Sequence, residues 1–318
     1  MHNQTLVPSS VTAEVSKRRY RGRFAPSPTG ALHFGSLVAA VGSYLDARAQ
    51  GGEWLLRIED VDAPRTVPGA ELAILATLDA LGFEWDGAVV RQSERLDLYH
   101  GVLMRLQAEG QVYPCACSRS AIAARSTQHS VDGGLLYSGS CRNGLPPGAA
   151  ARAWRLRVPD RIVEFVDRVQ GAYAQNLEHE VGDFVLLRAD GQYAYQLAVV
   201  VDDAEQGVNA VVRGVDLLDS TARQMWLQAC LGVPHPSYAH LPVAVNAAGE
   251  KLSKQTRALA IDAKQGSALL AEVMAFLGFA VPAELTHAAL PDFWAWAKSV
   301  WSMQEVRRVR AIHWPGFG

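Results

Sequence analysis

The chain has 318 residues, 49% of them hydrophobic and 19% charged, a balance that excludes a largely disordered protein. Thirty basic against 32 acidic residues leave a net charge of −2, so no global basic field draws in nucleic acid and an RNA partner has to be held by local patches. No apolar run approaches the roughly 18 residues that would span a bilayer, and four cysteines in so long a chain make no disulfide framework. With no apolar signal core at the N-terminus, no membrane partner and a cytoplasmic location are expected.

Residues 1–20 show no apolar periodicity and read as a mobile arm. Tyr20 to Ala25 reads as a strand, which Pro26-Ser27-Pro28-Thr29-Gly30 cannot continue. From about Gly35, the residues Leu37, Val38, Val41, Tyr44 and Leu45 recur at helical spacing, and Gly51-Gly52 ends that helix. Trp54 to Ile58 reads as a second strand, stopped by Glu59-Asp60-Val61-Asp62. A helix is predicted from about Pro68 to Leu81. Strand, helix, strand, helix is the pattern of a parallel sheet with right-handed crossovers. Residues 113–190 carry a cysteine cluster and short alternating runs such as Trp154 to Val158, and read as an inserted, mostly β subdomain. Tyr193 to Val201 and Val208 to Arg213 read as strands again. A helix capped by Ser220 or Thr221 runs to about Leu231, and beyond Gly249 the chain becomes more helical, with Leu269, Leu270, Val273, Met274 and Leu277 in phase.

Three constellations carry chemistry. Arg23 to Ser36, with His33-Phe34-Gly35-Ser36 at its end, lies where a strand's carboxyl end turns into a helix. Open parallel sheets bind ligands there, and a helix N-terminus offers free N–H groups to phosphate. Gly35 would let a nucleotide approach the backbone, and His33 can donate to a phosphate oxygen. The second is Lys251-Leu252-Ser253-Lys254-Gln255. The chain has only five lysines, and two of them stand here, suited to the charge of a triphosphate reacting at its α-phosphorus. The third is Cys115-Ala116-Cys117, followed by Tyr137 and Cys141. A Cys-x-Cys pair can aim two thiolates at one Zn²⁺, and spacing alone leaves the fourth ligand open between His129 and Tyr137. Cys230 reads as packing, and so do Phe293, Trp294, Trp296 and Trp301.

Taken in order, these segments resemble class I aminoacyl-tRNA synthetases of the glutamyl type over about residues 21 to 260. Arg23 to Ser36 is similar to their first signature, Arg57 to Asp62 with Arg65 to their acidic segment, and Lys251 to Gln255 to their lysine loop. Tyr195 to Asp203 and Val212 to Leu218 complete the pattern. The resemblance is narrower to the truncated glutamyl-Q branch of that family. Ser36 stands where many class I enzymes carry a second histidine, the lysine loop ends in Gln255, and the sequence runs only 63 residues past Gln255, too few for an anticodon-binding domain.

The resemblance implies a Rossmann-type, doubly wound parallel α/β sheet, with a zinc-bearing insertion and a short helical C-terminal region. The implied division is a catalytic domain over 21–112 and 191–246, an insertion over 113–190, and the lysine loop with helices over 247–318. The implied activity is tRNA-independent activation of glutamate with ATP and Mg²⁺. Transfer to the queuosine base at the wobble position of tRNA(Asp) follows, by an enzyme expected to act as a monomer. His33, Gly35 and Lys254 are the expected catalytic residues, joined by Ser36 and Lys251 in holding ATP. Arg23, Phe24, Ala25, Pro26, Ser27, Glu59, Tyr195 and Arg213 are expected to bind glutamate, the two arginines taking carboxylates through their forked donors. The family pattern points to Cys115, Cys117, Tyr137 and Cys141 as ligands of one structural zinc. The competing readings are charging of a tRNA 3′ end, another nucleotidyltransferase with the same His-x-Gly signature, and a silent tRNA-binding paralogue.

Overall fold

The computed structural model describes residues 19–131, 133–252 and 260–315; most of the expected N-terminal arm and residues 253–259 of the lysine loop lie outside them. The first half runs β1 (Arg21–Phe24), α1 (Phe34–Ala49), β2 (Glu53–Ile58), α2 (Ala70–Ala80), β3 (Val90–Arg91), α3 (Leu96–Ala108), β4 (Val112–Cys115), α4 (Arg119–Ala123) and β5 (Ala153–Leu156). The second runs β6 (Ile162–Asp167), β7 (Gly171–Asn176), β8 (Val185–Leu187), α5 (Tyr195–Glu205), β9 (Ala210–Gly214), α6 (Thr221–Leu231), β10 (Ser237–Leu241), β11 (Val243–Val245), α7 (Ser267–Leu277), α8 (Leu290–Val300) and β12 (Ala311–His313).

Strands β1, β2 and β3 form one parallel sheet and β9 and β10 a parallel pair, as an α/β fold requires. The Asn209 N–H donates to the Arg21 carbonyl, so the pair runs beside β1. Between α3 and α5 the pairing turns antiparallel: β4–β5–β8 make one sheet and β6–β7 a hairpin. No described helix is long and apolar enough to cross a membrane.

The first helix is apolar on nearly every face and is buried accordingly, with Leu37, Val41 and Leu45 sealed from solvent. Gly42 lets α1 approach β10 closely: a Cβ there would stand 2.4 Å from a Leu241 methyl and push that side chain aside. Tyr44, Trp54, Phe83 and Trp294 interlock by edge and face around this helix, so the C-terminal aromatic residues are packing, as expected. A second core joins α3, α5 and α6 to β5 and β8 through Tyr99, Leu156, Leu186, Leu197 and Leu227.

One expected element is corrected. Tyr195–Val201 is not a strand but the first two turns of α5. A short apolar run bears no period that separates a buried strand from a buried helix. The valines here are buried all round, and the following Asp202 and Asp203 each meet basic partners only if the chain coils.

Asp46, deep in α1, accepts from both terminal nitrogens of Arg168, at 2.6 and 2.9 Å, and from the Tyr20 hydroxyl. It ties the turn after β6 to the first core. Replacing Asp46 by Ala strands a partly buried guanidinium and is expected to cost about 3 kcal/mol in denaturant unfolding. Removing the exposed Arg19 partner of Glu53 should cost under ~1 kcal/mol.

Candidate active site and metal centre

The carboxyl ends of β1, β2 and β9 and the N-terminus of α1 open into one cleft of about 850 Å³. Arg23, Phe24, Ala25, Pro26, Ser27, Glu59, Tyr195 and Arg213 all line it, as do His33, Gly35, Ser36 and Lys251. Every expected ATP or glutamate residue except Lys254 is therefore in one place; Lys254 lies outside the described residues. The two ends of that segment sit beside the signature. Leu252 donates its N–H to the Ala244 carbonyl, Ala260 bridges to His33, and Ile261 donates to the Leu32 carbonyl.

His33 is the N-cap of α1, and its Nδ1 accepts the Ser36 N–H at 3.3 Å. Its Nε2 lies 3.0 Å from the Ser36 hydroxyl. Nδ1 is thus the bare nitrogen and Nε2 carries the proton that a phosphate oxygen would share. A Cβ on Gly35 would stand 3.3 Å from the His33 ring and 3.6 Å from the Leu252 carbonyl, so glycine keeps the helix entrance open. Lys251 Nζ is 2.6 Å from Asp216 Oδ2.

The charged side chains are held from behind. Arg57, fully buried, donates to Asp203 at 2.8 Å, to Gln206 at 2.7 Å and to Glu59 at 3.3 Å. Arg23 reaches Asp203 through Nε at 3.2 Å. Burial works against the Asp203 charge, but Arg23 and Arg57 outweigh it and hold the carboxyl below its usual range. Glu59 goes the other way: burial dominates over the neighbouring Arg57 and Arg23 and lifts its pKa. Tyr195, half-buried in the cleft wall, has its hydroxyl pKa raised by burial. Arg213 is 4% exposed and meets His240, Gln224, Leu217 and Thr221. Burial pushes the His240 pKa down to about 4, so the ring is neutral near pH 7.

Arg57, Asp203 and His240 were not among the expected site residues. Asp202-Asp203 next to an apolar run was the available signal, since two adjacent acids at the end of a buried segment need buried cations. Nothing local in the sequence marks His240.

A second cluster lies at the end of β4. The sulfur atoms of Cys115, Cys117 and Cys141 are within 4.8 Å of one another, and Cys117 and Cys141 are 3.7 Å apart. The Tyr137 hydroxyl is 3.4 Å from Cys115 Sγ and 3.7 Å from Cys117 Sγ. Ligands at tetrahedral corners about 2.3 Å from a zinc would be roughly 3.8 Å apart, so the four groups fit such an ion. His129 instead lies exposed with its Nδ1 on the Gly133 carbonyl, which leaves Tyr137 as the fourth group at the cluster. Arg155 Nε lies 3.4 Å from Cys115 Sγ, and its guanidinium stacks over the Tyr137 ring at 3.9 Å. Burial opposes the Cys115 thiolate, but Tyr137 and Arg155 outweigh it and hold that thiol below its usual range. Cys230 lies away from the cluster, half-buried on α6.

Residues 19–280 match the model of the class I tRNA synthetase (E and Q) catalytic domain. The chain is 63% identical over 296 residues to a glutamyl-Q tRNA(Asp) synthetase of Dechloromonas aromatica, covering 93% of this chain and 98% of that one. It is 54% identical over 290 residues to the protein of the same name in Neisseria meningitidis serogroup B, covering 90% and 97%. Among solved structures, glutamate-tRNA synthetase of Elizabethkingia anophelis superposes with a TM-score of 0.76 at 27% identity, over 94% of this chain and 68% of that one. A glutamate tRNA ligase of Elizabethkingia meningosepticum, solved with its amino acid, gives 0.75 at 27% identity, over 92% and 67%. The chain belongs to the glutamyl-Q tRNA(Asp) synthetase family, a ligase-type branch of the class I aminoacyl-tRNA synthetases.

Proposed function

We propose that this cleft activates glutamate with ATP and Mg²⁺, without tRNA, and passes the glutamyl group to the queuosine base at the wobble position of tRNA(Asp). The observation that carries the first half is the meeting of two arginines, a glutamate and a phosphate-competent helix N-terminus around one cavity. Glutamate has two carboxylates and an ammonium. Arg213 and Arg23 take the carboxylates, Glu59 takes the ammonium, Tyr195 donates a hydroxyl hydrogen bond, and Phe24 to Ser27 form the wall. The triphosphate lies over the entrance to α1, held by His33, Ser36 and the helix N–H groups, with Lys251 and Lys254 supplied by the loop. A substrate carboxylate oxygen attacks the α-phosphorus, pyrophosphate leaves, and glutamyl-adenylate remains. His33, the α1 N-terminus and Lys254 stabilise the charge that grows on the phosphoryl oxygens. A hydroxyl of the queuosine ring then attacks the adenylate carbonyl, gives up its proton, and displaces AMP. The names of the Dechloromonas and Neisseria relatives support this acceptor.

The reading divides the chain as the sequence suggests, with residues 113–190 a zinc-bearing insertion into the catalytic domain. Cys115, Cys117, Tyr137 and Cys141 hold one structural Zn²⁺. All four ligand positions come from the protein, so the ion clips the β4 end to the loop at Cys141 and takes no part in the reaction. Metal analysis of protein purified without chelators should find about one zinc per chain, and Cys141→Ser should lose it. Zinc-free wild-type protein would overturn this assignment.

Glutamate binding should weaken on the acid side. Burial places the Glu59 carboxyl above its usual range, so as pH falls it takes up a proton before surface carboxylates do, and its attraction for the ammonium goes. The glutamate KM in pyrophosphate exchange should therefore rise with falling pH. Glu59→Gln should raise it about tenfold or more at neutral pH and flatten that dependence, with the ATP KM nearly unchanged. An unaltered glutamate KM removes Glu59 from this role.

The acceptor is tested with tRNA(Asp) isolated with and without queuosine. Glutamate should enter only the queuosine form, and the label should survive removal of the 3′ terminal adenosine. Equal incorporation into both, or loss of label with that adenosine, would return the reaction to ordinary charging of the 3′ end.

A further inference from the structure

Arg213 on β9 and His240 on β10 stand opposite each other in parallel register. Arg213 Nε donates to His240 Nε2 at 3.0 Å. One terminal nitrogen donates to Gln224 Oε1 at 2.8 Å, and the other to Thr221 Oγ1 at 3.0 Å and the Leu217 carbonyl at 3.2 Å. Four of the five N–H bonds of a guanidinium are thus spent on the protein. Arginine does not give up its proton, so His240 Nε2 is the accepting nitrogen. The other nitrogen, Nδ1, lies 2.6 Å from Asp167 Oδ2 and carries the ring proton. Asp167, at the end of β6, is fixed in turn. Its Oδ1 accepts the N–H groups of Val169, Gln170 and His240 at 3.0, 2.9 and 3.1 Å. Asp167 and His240 are 2% and 0% exposed, and neither lines the cleft.

We propose that Asp167 and His240 are a positioning pair for the substrate-binding arginine: Asp167 holds His240 in the Nδ1–H tautomer, and the bare Nε2 aims the Arg213 guanidinium at the cleft. This rests on the reading of Arg213 as a carboxylate ligand. The imidazole in the middle has a second consequence. Arg23 is paired directly with the carboxylate of Asp203, which offsets its charge. Arg213 is held as firmly, but by neutral groups, with Asp167 one ring further away. Its positive field is left for the substrate. A network serving only to join β6, β9 and β10 would hold the same tautomer but would leave substrate affinity alone.

Asp167→Asn tests the pair with almost no change of size. Its carbonyl oxygen can keep the backbone N–H groups, which turns its NH₂ towards His240 and drives the ring proton to Nε2, against the Arg213 N–H. Long-range ¹H–¹⁵N spectra should show His240 protonated at Nδ1 in the wild type and at Nε2 in the variant. In pyrophosphate exchange the glutamate KM should rise roughly ten- to a hundredfold, with the ATP KM nearly unchanged. His240→Leu, which removes the acceptor outright, should show the same split. His240→Gln, able to donate one way and accept the other, should recover most of the lost affinity. A wild-type His240 protonated at Nε2 would overturn the proposal whatever the variants do. A raised glutamate KM in Arg213→Gln beside an unchanged one in Asp167→Asn or His240→Leu would overturn the pair and leave the carboxylate reading standing. An unchanged KM in Arg213→Gln would sink both.

Discussion

A guanidinium with no access to water has to be surrounded by acceptors, and Arg57 is such a group at the end of β2. Its partners come from α5: Asp203 at 2.8 Å and Gln206 at the helix end. Asp202, one residue earlier, stands 3.7 Å from Arg57 Nε and also collects Arg95, Gln92 and Tyr99 at 2.7 to 2.8 Å. Two adjacent acids that share Arg57 and otherwise reach different partners fix both the rotation and the height of α5 against the sheet. Tyr195, at the start of that helix, is thereby set into the cleft opposite β1. Asp203 also takes Arg23, and Arg57 takes Glu59, so both polar walls of the cleft hang from one buried ion cluster. Removing one member would leave an uncompensated charge in the interior, a loss larger than any single surface pair could offset.

The parts of the site most legible from the residues themselves are those built from one continuous segment, whereas Glu59, Tyr195 and Arg213 were picked out with the help of the family resemblance. The turn from β1 into α1 announces itself through its prolines, its glycines and the change of period, and the structure puts Arg23 through Ser36 on one wall of the cleft. The cysteines were legible for the same reason, since Cys-x-Cys brings two thiols together whatever surrounds it. Pairing across the fold was not legible. Arg57 to Asp203 and His240 to Asp167 join residues 146 and 73 positions apart, and no local pattern records such a separation. The misread helix has the same origin: Leu197 to Val201 favours a strand by composition, and the decision for helix is made by Asp202 and Asp203 reaching partners on β1, β2 and α3.

The two clusters also show how differently buried charge can be balanced. At the cysteines, three thiols and a phenol crowd together, and Arg155 is the cation that faces them, touching Cys115 and covering Tyr137 at once. The cleft balances nearly one for one behind its surface, with Arg23 and Arg57 set against Asp203 and Glu59.

The last described strand, β12, pairs with β11 in parallel register, and just beyond it Trp314 lies face to face with Phe34, ring centres 4.0 Å apart. Phe34 sits between His33 and Gly35, so the floor under the turn from β1 into α1 comes from a residue on a distant part of the chain. The contact spans 280 residues, and closing so long a loop is entropically unfavourable until intervening structure has formed. During synthesis, the first signature leaves the ribosome long before the ring that supports it. A nascent chain can thus bury α1 against the sheet while the entrance of that helix still lacks its floor, which is laid only once Trp314 has been added.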